Sequence, residues 1–80
     1  MIRLHVIGSK SEATDAAYLR GIPCEFVSCT ERDDSASTIL HVPVQFRDAL
    51  FAWLAEPVKR DADCRLPVGT LFSLHATREA

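Results

Sequence analysis

No apolar run in this chain approaches the ~18 residues of a membrane-spanning helix, so no segment is expected to cross a bilayer. Met1 to Ile7 is too short, and wrongly flanked, for a secretory signal. Glycine is scarce: Gly8, Gly21 and Gly69 form no glycine-rich cradle, which argues against nucleotide binding. The three cysteines, Cys24, Cys29 and Cys64, make no CxxC pair, so the usual redox motif and zinc-ribbon spacing are both missing. An odd number of thiols cannot all pair within one chain. Reduced cysteines in a cytoplasmic setting are the simplest reading. A basic excess is lacking too, with nine Lys and Arg against eleven Asp and Glu, for a net charge of −2. Nucleic-acid binders draw much of their affinity from counterion release by basic groups, so direct nucleic-acid binding is disfavoured. The densest basic pair, Lys59-Arg60, is followed at once by Asp61 and Asp63.

What remains is the composition of an ordinary globular protein, 48% hydrophobic over 80 residues. A single α/β domain over residues 1–76, with a frayed tail at 77–80, fits that length. Ile2, Leu4 and Val6 alternate with Arg3 and His5, the period of a half-buried strand. Gly8 ends it. Ser9-Lys10-Ser11-Glu12 has capping-box spacing, and a helix is expected from Lys10 to Arg20. Its inward face comprises Ala13, Ala16 and Ala17, with Tyr18 or Leu19 beside them. Gly21 and Pro23 stop it. Cys24 to Cys29 reads as a second strand, and the polar run Thr30 to Ala36 as a solvated loop. Thr38 to Val42 is the third strand. Pro43 suits a helix start, and Phe46, Ala49, Leu50, Trp53 and Leu54 then form one apolar helical stripe that Pro57 closes. After a charged connection from Lys59 to Pro67, Val68, Thr70, Phe72 and Leu74 alternate with Gly69, Leu71, Ser73 and His75 as the last strand.

The order is βαββαβ. Right-handed crossovers put both helices on one side of the sheet. The expected fold is therefore α+β and ferredoxin-like, a four-stranded antiparallel sheet in the order 4-1-3-2 with two helices on one face. The bare face would carry Arg3, His5, Ile7, Glu25, Val27, Cys29, Ile39, His41, Leu71, Ser73 and His75. A truncated thioredoxin-like arrangement is the alternative.

Residues 1–29 resemble the opening of glutaredoxin-like proteins: a strand, a helix, and a turn into the next strand like Gly21-Ile22-Pro23-Cys24-Glu25-Phe26. Val42-Pro43-Val44 is similar to the Val-Pro that thioredoxin-type folds place before a strand. The resemblance implies a thioredoxin-type fold. It departs at the start of the first helix, where the family's redox cysteines give way to Gly8-Ser9-Lys10-Ser11. Thiol–disulfide exchange by the family mechanism does not carry over. The later elements also come in the wrong order for that fold, and likeness of fold says little about function.

Candidate sites weigh towards the structural reading. His5, His41 and His75 share the bare face by strand parity, and three imidazoles there would suit zinc or nickel. Opposed strand directions, however, are expected to hold His5 away from the other two. Cys64, beside Arg65, has a neighbouring guanidinium to lower its pKa, but no signature motif surrounds it. Cys24 and Cys29, five positions apart, should face opposite ways on one strand. Glu31, Asp33 and Asp34 lack the glycine and alternation of a calcium loop, and instead present negative charge to a basic partner. RNA readout by the bare face needs aromatic platforms, and Phe26 and Phe72 are assigned to the core side. Phe51 falls on the flank of its helix with Val44 and Ala55, as a contact surface or packed on the first helix near Tyr18.

The sequence therefore points to a non-enzymatic protein-binding module or inhibitor that occludes a partner surface, with no cofactor and no metal. Its candidate contact residues are Glu31, Asp33, Asp34, Val44 and Phe51. The expected partner is another protein, one with a basic nucleic-acid-binding surface among the options, and a homodimer through an exposed edge strand is a second. Small phage-encoded inhibitors, including anti-CRISPR proteins, resemble this chain in size and charge. A degenerate glutaredoxin-like redox protein and a metal-binding protein using the strand histidines are the alternatives.

Overall fold

The computed structural model describes residues 1–33, 35–60, 62–63 and 65–76. Asp34, Cys64 and the tail at 77–80 lie outside the described residues. The elements are β1 (Ile2–Ile7), α1 (Lys10–Leu19), β2 (Glu25–Arg32), β3 (Ser35–Val42), a 3₁₀ turn (Val44–Phe46), α2 (Arg47–Leu54) and β4 (Leu71–Ala76). The strands form one antiparallel sheet in the order β2-β3-β1-β4. This is the ferredoxin-like order. The thioredoxin-like alternative does not hold, since every strand pairing is antiparallel.

The central strands set the core. Ile2, Leu4 and Val6 of β1 stand opposite Val42, Leu40 and Thr38 of β3, and all six are buried. Leu50 and Trp53 of α2, Ala13, Ala16 and Ala17 of α1, Ile22 and Leu71 close over the same side. Both helices thus cover one face. Thr38 is the one buried polar residue among those described, and its hydroxyl donates to the Gly8 carbonyl at 2.9 Å. Gly8 has φ of +129°, and a Cβ there would lie 3.1 Å from both the Glu12 Cβ and a Val68 methyl. Only glycine fits that turn without strain.

The capping box forms as its spacing requires. The Glu12 amide donates to the Ser9 hydroxyl at 3.4 Å, and the Ser9 amide donates to the Glu12 carboxylate at 3.0 Å. These bonds hold the Glu12 carboxyl below its ordinary pKa. The small side chains of Ala13, Ala16 and Ala17 let α1 lie close on the sheet. Tyr18 and Leu19, expected near the inward face, are instead exposed, because the arc through 13, 16 and 17 turns them outward.

α2 has no side-chain cap and is held by packing. The Trp53 indole N–H donates to the Gly69 carbonyl at 3.1 Å. The Arg20 guanidinium lies 4.6 Å from the Trp53 ring centroid and makes a two-pronged pair with Glu56, at 2.8 and 2.6 Å. Its remaining nitrogen donates to the Ala16 carbonyl. One arginine thus ties the C-terminal ends of the two helices together. Leu54, expected in the core stripe, is 40% exposed, because Leu50 and Trp53 hold the core-facing arc and Leu54 falls at its edge.

Two β-bulges change the expected parity of the edge strands. Opposite β1, Ser73 faces His5 and Leu71 faces Val6, so Phe72 is the extra residue. Leu71 therefore turns into the core, and Phe72, assigned from sequence to the core side, turns to the bare face. Opposite β3, Phe26 faces Leu40 and Ser28 faces Ile39, so Val27 is the extra residue. Cys29 then stands opposite core-facing Thr38 and lies on the helix side, not on the bare face as expected. Val68, expected inside the last strand, precedes it in an exposed turn. The run 30–36, expected as a loop, is mostly sheet: Thr30, Glu31 and Arg32 pair with Ser37, Ala36 and Ser35.

Candidate interaction surface

Every candidate contact residue that is described is exposed, but the fold separates them into two places. Glu31 and Asp33 sit at the β2–β3 hairpin tip. Val44 follows the opposite end of β3, where Val42 pairs with Ile2. Eight strand residues at about 3.3 Å each put these sites some 20–25 Å apart. Asp34 lies outside the described residues.

Val44, in the 3₁₀ turn, and Phe51, in α2, belong to consecutive elements. They are 62% and 50% exposed. Leu54, Ala52 and Ala55 extend the exposed surface. Tyr18, the alternative packing neighbour for Phe51, is itself exposed. α2 is thus apolar on two faces, one covered by the sheet through Leu50 and Trp53 and one bare. A surface helix ordinarily turns charge outward, and among its exposed positions only Arg47 and Asp48 do so here.

The bare sheet face holds a ring cluster that the expected parity concealed. His5 meets Phe72 with ring centroids 5.6 Å apart and His75 at 5.8 Å, both nearly perpendicular. The expectation that His5 stands far from His75 is therefore corrected. His5 faces Ser73, which makes His75 its diagonal neighbour. His41 remains apart, because Arg3 lies directly between it and His75 across the sheet. No group of three metal-binding side chains occurs among the described residues. The absence of aromatics from this face does not hold either, since Phe72 is there. Its ring meets His5 edge to face, so the two do not form a coplanar platform.

Grooves flank the helices. One of about 750 Å³ lies between Gly8, Glu12, Arg60, Arg65 and Val68. A second, about 640 Å³, runs between the start of α1 and β2 and is lined by Lys10, Thr14, Phe26, Cys29 and Glu31. A third, about 400 Å³, is bounded by Arg20, Trp53, Glu56 and Pro67. Lys10 sits 4.6 Å over the Phe26 ring. Burial pushes the Cys24 thiol above its ordinary pKa, which keeps it protonated at neutral pH and weakens it as a nucleophile. Cys64 lies outside the described residues. No helix among the described residues is long and apolar enough to cross a membrane.

Comparison with protein-family models, curated proteins and solved structures gives no match to this chain. A functional reading rests on its own surfaces.

Proposed function

We propose that this chain is a non-enzymatic, cytoplasmic protein-binding module that acts by covering a surface of its partner. The supporting observation is the exposed apolar surface of α2 and the turn before it, where Phe51 and Val44 stand exposed while Leu50 and Trp53 are buried. An exposed aromatic with flanking aliphatics, rimmed by polar groups, is the composition of an interface centre. The partner fitted by the remaining charge is basic. Glu31 and Asp33 project at the hairpin tip of a chain with net charge −2, and such acidic groups take the place of phosphates on a nucleic-acid-binding surface. This is the chemistry of small inhibitors of nucleic-acid-binding proteins, the anti-CRISPR type among them.

Affinity capture from the native host with micromolar bait tests this reading. Wild-type chain should retain a basic protein that nucleic acid competes away. V44E/F51E should lose it, and E31K/D33K should weaken it. Equal capture by V44E/F51E, or capture that nucleic acid does not affect, would overturn the reading.

A further inference from the structure

β2 is an edge strand paired on one side with β3, and among the described residues no strand lies beside its other row of backbone groups. Edge strands are ordinarily blunted by proline, by charged side chains, by shortness or by a bulge, and β2 carries a bulge at Val27 and three charges. β2 has eight residues and neither proline nor lysine, and it leaves Phe26 and Val27 partly exposed. Its charges, Glu25, Glu31 and Arg32, are arranged in a way that favours one partner.

With the bulged Val27 set aside, seven positions alternate between faces. Glu25, Ser28, Thr30 and Arg32 point to the bare face, and Phe26, Cys29 and Glu31 to the helix face. That row has the same facial pattern read in either direction. We propose that the chain forms a twofold-symmetric homodimer by antiparallel pairing of β2 with the β2 of a second copy, centred on Cys29. In this register Glu25 faces the second copy's Arg32, Ser28 its Thr30, Phe26 its Glu31, and Cys29 its Cys29. The two charges on the bare face of the strand become a pair of opposite sign, repeated by symmetry. On the helix face the second copy's Glu31 arrives opposite Phe26, beneath the Lys10 ammonium already placed over that ring.

The charges also select the register. A shift of one position turns every side chain to the wrong face. A shift of two sets Glu25 against Thr30 or Arg32 against Ser28, and the charge pair is lost. β4, the other edge, carries no charged side chain and has no such self-complementarity. This pairing uses none of the exposed α2 residues; it shares Glu31 with the proposed function, so Val44→Glu with Phe51→Glu and the exchange at Glu25 and Arg32, which leave Glu31 intact, tell the two readings apart.

The test is a charge exchange followed by light scattering after size exclusion at millimolar loading and low salt. Wild type should show twice the 8.9 kDa mass of the chain. E25R and R32E, each at an exposed position, should dissociate at least about tenfold more readily, because each opposes like charges at both symmetric pairs. E25R/R32E, which restores opposite signs, should recover the dimer. In a C24S/C64S background, mild oxidation should link Cys29 to Cys29 in wild type and in the double exchange but not in either single variant. V44E/F51E should dimerise normally. A monomeric wild type, singles as dimeric as wild type, or a double that fails to recover would overturn the proposal.

Discussion

β4 and β2 are both edge strands, and each carries one bulge, yet they contribute to the molecule in opposite ways. The bulge in β4 drives Leu71 into the core, and Trp53 bonds the Gly69 carbonyl just before the strand. β2 buries no side chain fully: Cys29 is half-buried, and Phe26 and Val27 keep 38% and 41% of their surface exposed. The first edge is anchored by packing, whereas the second is held by its backbone ladder to β3 and by what α1 lays over it. An edge that adds little to the core is free to be an interface, which is the general lesson of the pair.

The contrast predicts unequal costs. Leu71→Ala should destabilise the chain by about 2–5 kcal/mol, the usual range for a buried leucine, whereas Phe26→Ala, at a side chain left 38% exposed, should cost clearly less in dilute protein. Urea melts of both variants read this directly, and similar losses would erase the distinction. Gly8→Ala comes next, at about 1–3 kcal/mol. A side chain at positive φ is strained, and its Cβ would crowd the Glu12 Cβ on α1 and the Val68 methyl before β4. Trp53→Phe removes the one indole bond to the β4 side and should cost on the order of 1 kcal/mol, with no counterpart of that size along β2.

The smallest effect is electrostatic. Hydrogen bonds from Arg20 hold the Glu56 carboxyl below its ordinary pKa, as Ser9 does for Glu12. A carboxyl whose folded-state pKa is depressed stabilises the fold above its unfolded-state pKa and loses that contribution as pH falls through the folded value. Stability should therefore decline below about pH 4.5. Glu56→Gln should flatten that decline slightly at the helix ends. Glu12→Gln should do the same at the α1 cap. Melting temperatures taken from pH 7 down to pH 3 show whether the slope changes.

Much of this was legible from the chain. The alternation of Ile2, Leu4 and Val6 gave the central strand, Ser9 to Glu12 gave the helix start, and the order of elements gave the sheet. Those signals are local and period-bound. The edges were not legible, because one extra residue reverses every later side chain, and nothing in Phe26-Val27-Ser28 or Leu71-Phe72-Ser73 announces a bulge. The polar run 30–36 likewise carries no strand signal, since an exposed hairpin arm needs no apolar face to pair. Of the candidate contact residues, the flank position of Phe51 follows from the helical phase of α2. The self-complementary β2 edge was invisible until its bulge had set which residues share a face.

Amide hydrogen exchange of the whole chain, followed from micromolar to millimolar concentration, tests the central claim most directly. Protection should rise with concentration in residues 25–32 alone, while β1, β3 and β4 keep one value throughout. Protection of β2 that does not change with concentration, or a rise confined to α2, would contradict the account.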